Sequence, residues 1–219
     1  MDKGIAQAAS VGLAPQKYQT LLELSKAIAL HRNVPDLFHD IACRLKSLFD
    51  FQYLTVVLHD GAQNAMRLHI LETCEPTAWR TPSEIPIEGS VAGWVWQNQQ
   101  PLVIRDLDEE TRFPFAKSLH DDAVKSLCVM PLTTASRQLG VLSLWSDKVG
   151  AYDGFDLEFG QLVTAQIAVA MENVFNLAEA QSAQQQLTRE RDQLRLLLDV
   201  SNAVVSTLDM RELLATVSA

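Results

Sequence analysis

Cysteine is scarce in this chain: Cys43, Cys74 and Cys128 are its three thiols among 219 residues. No two of them form a C-x-x-C pair, which argues against a zinc site, and the odd number argues against a disulfide framework. Free thiols fit a reducing compartment. We therefore expect a cytoplasmic protein.

Long apolar runs and an excess of basic charge are also missing. No run of about 18 apolar residues occurs, and the start Met1-Asp2-Lys3-Gly4 lacks the apolar region of a signal peptide, so we expect no membrane association. The formal net charge is −9 at pH 7. Because binding to a nucleic-acid duplex requires a clustered basic face, we expect no direct nucleic-acid contact by this chain.

Motifs for catalysis and for metal binding are absent from the sequence. Its five histidines include no H-x-x-x-H pair, so we predict no metal site. There is no G-x-S-x-G nucleophile motif and no G-x-x-x-x-G-K-S/T phosphate loop. We predict that the chain is not an enzyme and has no evident cofactor, and that Cys128 on its central strand is a small core residue.

The most informative stretch runs from Gly89 to Asp106. Valines and tryptophans recur at helical spacing in its first half, and glycines at 89 and 93 permit close backbone contact. Asn98-Gln99-Gln100-Pro101 then ends the helix before a short apolar strand over residues 102–104. A polar loop through Phe113-Pro114-Phe115 follows, as expected of a lid over a cavity.

Helices precede this stretch, and strands lie on both sides of it. Apolar residues keep helical period from Tyr18 to about His31, and Asn33-Val34-Pro35-Asp36 starts a second helix with proline in its first turn. Two hairpins are predicted, one from residues 51–59 and 66–71, the other from residues 125–132 and 139–146. Together these elements predict an α+β fold with an antiparallel sheet.

Alternation along the strands predicts what each face of the sheet does. One face is purely aliphatic and should pack under helices: Leu54, Val56, Leu58, Leu127, Val129, Leu142 and Leu144. The other face mixes aromatic and polar residues: Tyr53, Thr55, His59, Ser126, Cys128, Met130, Ser143 and Trp145. A mixed face beneath loops and a short helix is typical of a ligand pocket, and a partly solvated sheet face is the alternative.

The order of these elements resembles the central motif of GAF domains, a glycine-framed helix followed by a proline and an apolar strand that ends in aspartate, here from Gly89 to Asp106. The resemblance covers residues 16–180. It implies a sensory or dimerising module with a small-molecule pocket. An enzyme of this fold, such as a methionine sulfoxide reductase, would need a reactive cysteine group on the pocket loops, and Cys74 alone lies near them.

We predict that the pocket is built from the mixed sheet face and from the residues after the short helix. Its predicted residues are Tyr53, Thr55, Trp96, Arg105, Asp106, Phe113, Phe115, Cys128, Met130 and Trp145. A small carboxylate effector such as formate would need a fixed cation in such a pocket. The nearest candidates are Arg67, Arg105, Arg112 and Lys117. For Asp106, a structural role as acceptor of backbone N–H bonds is favoured over ligand contact.

From Asp153 the pattern is helical again. Apolar residues keep one helix face to Leu177 and continue at seven- or four-residue steps to Leu198, with Gln184 and Arg191 diluting the seam. This predicts a two-stranded signalling helix of modest stability and a homodimer. The predicted dimer and signalling residues are Leu21, Leu24, Ile28, Phe159, Val163, Val174, Leu177, Leu187 and Leu194.

The end of the chain repeats its beginning. Residues 21–28 align with residues 197–204 when Ser25 is placed over Ser201, which predicts an internal repeat, although two generic amphipathic helices are the alternative. The segment from Leu198 to Leu213 resembles the opening of the second GAF domain in bacterial sigma-54-dependent activators of the formate hydrogenlyase type. We expect a flexible leader at residues 1–15, a GAF domain at 16–180, a helical linker at 181–196 and the truncated start of a second GAF-like module at 197–219.

The resemblance implies a regulatory module that binds a small-molecule effector and signals through a dimeric helix. The output domain would lie outside this chain, in a sigma-54-dependent transcription activator. Two alternatives stay open, a ligand-free dimerisation module and the input domain of a sensor histidine kinase in a two-component system.

Overall fold

The computed structural model describes residues 33–73, 83–115 and 124–217. Within these ranges, three helices run over Val34–Leu48 (α1), Val91–Asn98 (α2) and Leu157–Val217 (α3). The strands are Tyr53–Asp60 (β1), Ala65–Thr73 (β2), Ser83–Ile85 (β3), Leu102–Ile104 (β4), Ser126–Thr133 (β5) and Gln138–Ser146 (β6).

The strands form one antiparallel sheet in the order β3-β2-β1-β6-β5-β4. The two predicted hairpins, β1 with β2 and β5 with β6, are joined through the pairing of β1 with β6. Sheet, helices and the long C-terminal helix confirm the predicted α+β fold. Among the described helices, none contains an apolar stretch of the length that a bilayer crossing requires.

Helix α1 begins where the sequence predicts. The side-chain oxygen of Asn33 accepts a hydrogen bond from the backbone N–H of Asp36 at 2.9 Å, and Pro35 lies in the first turn, where no intrahelical N–H bond is lost. At the other end, the N–H of Phe49 donates to the carbonyl of Leu45 at 2.8 Å. Side-chain cap and proline together fix the start of the helix.

One face of the sheet packs under α1 and α3. Phe38 of α1 contacts His69 of β2, with ring centroids 5.7 Å apart. A β carbon at Gly160 of α3 would lie 2.6 Å from Sδ of Met130 on β5, so α3 and β5 are in direct contact. The buried residues of the two helices on this side include Leu37, Ile41, Leu45, Val163, Ile167, Ala168, Met171 and Val174.

Helix α2 packs on the opposite face of the sheet. Ser90 caps it, since its Oγ donates to the carbonyl of Pro86 at 2.6 Å and accepts from the N–H of Gly93 at 3.0 Å. A β carbon at position 93 would lie 1.8 Å from the carbonyl oxygen of Ile87. Only glycine permits this approach, as the sequence predicts for this stretch.

The side chains of strand β5 lie on the opposite faces of the sheet from those predicted. Thr133 lies opposite Gln138, but Leu132 lies opposite Gly140, so Leu139 is an extra residue in the pairing of β5 with β6. A shift of register by one residue moves every following side chain to the other face of the sheet. Without that shift, the alternation of β5 would match the prediction.

The shift exchanges the two sets of β5 side chains. Leu127 lies opposite Trp145, so the aliphatic residues of β5 face α2. Cys128 lies opposite Leu144, and Met130 contacts α3, so both face the helical layer formed by α1 and α3. The prediction that Cys128 and Met130 line the pocket is therefore wrong.

The chain divides into two compact units between Val174 and Phe175. In the first unit, α3 buries one side against the sheet. In the second unit, the side chains of α3 are exposed from residue 176 to residue 202. The predicted bounds of leader, GAF domain, linker and second module stay predictions.

The buried side of α3 corrects part of the predicted dimer face. Val163 is 1% exposed and Val174 is 3% exposed, and Phe159 packs against Phe49 with ring centroids 6.0 Å apart. Val163 and Val174 therefore hold α3 in its own domain and do not present a surface to a second chain, and Phe159 packs within the same domain. Three other predicted residues, Leu21, Leu24 and Ile28, lie outside the described residues.

Candidate functional site: a cavity beneath helix α2

A small cavity lies between α2 and the sheet face that carries Trp145. Its volume, counted as space for the centre of a water-sized molecule, is about 20 Å³. A single water needs about 10–15 Å³ on this measure, so the cavity has room for little more than one water. Its lining residues are Val57, Leu68, Ile85, Ser90, Val91, Ala92, Phe115, Leu127, Val129, Ser143 and Trp145.

The lining contains few polar groups. The hydroxyl of Ser90 is already used twice in capping α2. The indole N–H of Trp145 donates to Oγ1 of Thr55 at 3.0 Å. Ser143 is 2% exposed and is the second serine of the lining.

Charged side chains are absent from the lining as far as the structure describes it. Two predicted cations are engaged elsewhere. Arg67 lies 3.4 Å from the carboxylate of Asp60, and Arg105 lies 3.2 Å from that of Asp153. Neither guanidinium reaches the cavity, so the prediction that Arg105 belongs to the pocket is wrong.

The third predicted cation forms a local pair. Arg112 donates to the carboxylate of Glu110 at 2.7 Å, and this side-chain hydrogen bond lowers the pKa of the buried Glu110 below its ordinary value. The guanidinium of Arg112 also lies 5.3 Å from the ring centroid of Phe113. The fourth, Lys117, lies outside the described residues.

The structure brings together half of the ten predicted pocket residues. Phe115 and Trp145 line the cavity. Tyr53 and Phe113 belong to the buried core on the same side of the sheet, and Thr55 holds the indole of Trp145. The aromatic residues and the threonine were correctly assigned to this side of the sheet, although three of them do not contact the cavity itself.

Two further predicted residues have structural roles away from the cavity. Trp96 stacks on His59 with ring centroids 4.2 Å apart, and its Nε1–H donates to the carbonyl of Gln138 at 3.2 Å. Asp106 accepts a hydrogen bond from the N–H of Asp108 at 2.9 Å, which is the loop-capping role that the sequence favours. The prediction that Trp96 and Asp106 line the cavity is wrong.

Sequence reasoning missed the aliphatic part of the lining. Val57 and Leu68 could have been found, because strand alternation places them on the same face as Tyr53, and the two residues pair directly. Leu127 and Val129 could not, because the register shift in the second hairpin reverses their face. The cavity is more apolar than predicted.

The described cysteines are not placed for chemistry in the cavity. Cys128 lies on the other face of the sheet, and burial raises the pKa of its thiol to about 12. Cys43 is exposed on α1, where its Sγ lies 3.7 Å from Nε2 of His39. Cys74 lies outside the described residues. Neither of the two described thiols lines the cavity.

Comparison with known proteins decides the family. The GAF domain family model matches residues 31–172, a span that contains α1, the sheet, α2 and the cavity. The chain belongs to the GAF domain family. This confirms the resemblance drawn from the stretch between Gly89 and Asp106.

Curated relatives of this GAF domain include formate hydrogenlyase transcriptional activators. The one from Escherichia coli (strain K12) is 21% identical over 179 residues, which cover 79% of this chain and 26% of that protein. The one from Salmonella typhimurium (strain SL1344) is 20% identical over the same length. The chain thus spans about a quarter of the length of these relatives.

Solved structures with the same fold have different roles. The GAF domain of a two-component sensor histidine kinase from Bacillus halodurans superposes with a TM-score of 0.59 at 23% identity, covering 68% of this chain and 99% of that one. A free methionine-R-sulfoxide reductase from Neisseria meningitidis, in complex with its substrate, gives a TM-score of 0.58 at 21% identity, covering 75% and 90%. At these identities the likeness shows the fold alone.

Proposed function

We propose that this chain is a sensory GAF module that takes up a small, uncharged and mainly apolar effector in the cavity beneath α2. Binding would be passed on through a homodimer formed by α3. The observation that carries the proposal is the lining of the cavity, which is apolar apart from Ser143 and the helix-capping Ser90 and contains no charged side chain among the described residues.

The lining selects the chemical class of the effector. An anion in an apolar cavity needs a fixed cation or several free N–H donors. The three described arginines that the sequence predicts near the pocket are paired with carboxylates, and none contributes to the lining. A neutral molecule with one polar group, placed against Ser143, meets no such cost. A small carboxylate such as formate stays a prediction from the sequence and is tested beside neutral compounds.

Effector uptake requires movement of a lining side chain, because about 20 Å³ does not accommodate an organic molecule. Phe115 is the side chain best placed to move. It is partly exposed, whereas the other lining residues are buried. Displacing its ring would enlarge the cavity without disturbing the strands.

The output of the module is proposed from its relatives. A transcription activator of the formate hydrogenlyase type, sigma-54-dependent as the sequence resemblance implies, would carry the output domain, and the chain would act in the cytoplasm. An input domain of a sensor histidine kinase is the alternative output. We propose that this chain itself is not an enzyme, since neither described thiol lies at the cavity.

The test is a binding titration followed by thermal shift and calorimetry. Short alcohols and ketones are compared with formate, nitrate, 2-oxo acids and cyclic nucleotides. We expect neutral compounds to raise the melting temperature, and Ser143→Ala to weaken them about fivefold, the effect of one hydrogen bond. Ser182→Ala, the same change at an exposed position of α3, should leave binding unchanged. Binding of charged compounds alone would contradict the proposed class.

A second candidate function is a ligand-free dimerisation module. The observation that favours it is the cavity volume of about 20 Å³, which approaches a filled core. The variant Phe115→Ala distinguishes the two candidate functions. If the cavity is an effector site, this variant should bind bulkier neutral compounds and change dimer stability on binding. If the module is ligand-free, the variant should lose stability and gain no effect of any compound on the dimer.

A further inference from the structure

In the second unit of the chain, helix α3 carries a row of mostly apolar residues, called the seam below, whose members are spaced alternately by three and four positions. The seam consists of Leu177, Ala180, Gln184, Leu187, Arg191, Leu194 and Leu198, all of them exposed. Leu187 and Leu194 are 66% and 62% exposed. Such spacing is that of a coiled-coil seam, in which each seam side chain packs between side chains of the partner helix.

We propose that this seam pairs with the same seam of a second copy of the chain, parallel and in register, and that Glu190 of each copy pairs with Arg195 of the other. The inference rests on the dimer of the proposed function and adds its direction and its register.

The charges that flank the seam carry the argument. Glu190 directly precedes the seam residue Arg191, and Arg195 directly follows the seam residue Leu194. In a parallel two-stranded coiled coil, these two flanking positions, five residues apart, face each other across the interface. Both side chains are exposed and opposite in charge. A parallel, in-register dimer therefore gains two such pairs, one on each side.

The remaining flanks of the seam do not oppose this choice. The corresponding positions one and two heptads earlier are Ala183 with Thr188 and Asn176 with Gln181, all uncharged. An antiparallel pair brings like flanks together, so the flank of Glu190 would face the same flank of the partner and would not meet Arg195. The charged flanks therefore favour the parallel direction, and no other charged flank along residues 176–195 competes with them.

The polar seam residues fit the same register. In register, Gln184 meets Gln184, and paired amides can hydrogen-bond across the seam. Arg191 lies within 2.8 Å of the carboxylate of Asp192 on its own helix. This contact draws the guanidinium to the outside, so the arginine stem can cover the seam while the charge stays in water. Polar residues in a seam fix register at some cost in stability.

Charge reversal in the full chain tests the pairing. Glu190→Lys and Arg195→Glu each turn two attractions into two repulsions and should raise the dimer Kd about tenfold, measured by analytical ultracentrifugation. The double variant should return to within about threefold of the wild type. An equimolar mixture of the single variants should form the heterodimer in preference to either homodimer. Arg189→Glu, on the opposite side of the helix, is the matched control and should leave Kd unchanged.

Cross-linking tests the parallel, in-register arrangement independently of the charge reversals. In a chain with Cys43→Ser and Cys74→Ser, Leu194→Cys should be joined to its counterpart by a short bifunctional maleimide, whereas Arg189→Cys should not. Buried Cys128 is retained. If the dimer cross-links through Leu194→Cys no better than through the control, or if neither charge reversal changes its Kd, the parallel register is wrong although the dimer exists. A chain that sediments as a monomer at every concentration overturns the dimer of the proposed function as well.

Discussion

Replacing Val163 with alanine tests which side of α3 holds the domain together. Val163 is 1% exposed, whereas its neighbour Leu162 is 48% exposed. Removing two buried methyl-sized groups costs about 1.6 kcal/mol in transfer free energy. The space left behind adds about 1 kcal/mol at 24 cal/mol per Å³. We therefore expect Val163→Ala to lower the free energy of unfolding by about 2.5 kcal/mol.

Urea unfolding followed by tryptophan fluorescence measures this loss. With a slope of about 2 kcal/mol per molar, the midpoint should fall by about 1.2 M. Leu162→Ala removes a larger but half-exposed side chain and should cost less than about 1 kcal/mol. Both variants are measured at two protein concentrations, because a dimer makes the midpoint depend on concentration. A midpoint that is unchanged in Val163→Ala but lowered in Leu162→Ala would refute the assignment of the buried side.

Three further predictions follow from single contacts. Gly93→Ala should lower the melting temperature sharply, because its β carbon meets a carbonyl oxygen at 1.8 Å, whereas Gly61→Ala, with nothing within 4 Å, should change it little. Cys43 should react with a thiol reagent in the native protein, and Cys128 only after unfolding. Because its arginine partner lowers the pKa of Glu110, the wild type should be more stable than Glu110→Gln above about pH 4.5, and that advantage should shrink as pH falls through the lowered pKa.

Local signals in the sequence were enough to place most elements. Asn33 and Pro35 mark the start of α1, and Ser90 with Gly93 marks the start and close packing of α2, because each acts through bonds to its immediate neighbours. Such signals need no knowledge of the rest of the fold. The predicted family and fold are confirmed for the same reason, since the order of these local signals is specific.

The cavity lining depended on the register of the hairpin of β5 and β6, which local signals do not determine. A hairpin with Thr133 opposite Gln138 and no extra residue would place Cys128 on the pocket side, as predicted. The extra residue, Leu139, is followed by Gly140, where a β carbon would lie 2.0 Å from the carbonyl oxygen of Val57 on the neighbouring strand. Only the three-strand arrangement reveals that constraint, so the side chains of β5 were assigned to the wrong face.

Part of the predicted dimer face of α3 was wrong for a different reason. Both sides are apolar at helical spacing, one through Val163, Ile167 and Val174, the other through Leu162 and Val169. Hydrophobic periodicity shows that a helix has apolar sides but does not say which one meets its own sheet. Here the prediction assigned Val163 and Val174, which lie on the side that packs against the sheet, to the dimer face.

The corrected strand gives the cavity a short physical connection to α3 within the first unit. Val129 lines the cavity, and the next residue, Met130, points through the sheet to Gly160, where the absence of a side chain brings its sulfur onto the helix backbone. Close-packed interiors transmit displacement because they lack free volume to absorb it. If the proposed effector moved β5 outward, the displacement would reach α3 through this one pair of neighbouring residues. The predicted arrangement, with Met130 in the cavity, would have placed an aliphatic side chain at that contact and a flexible thioether in the lining.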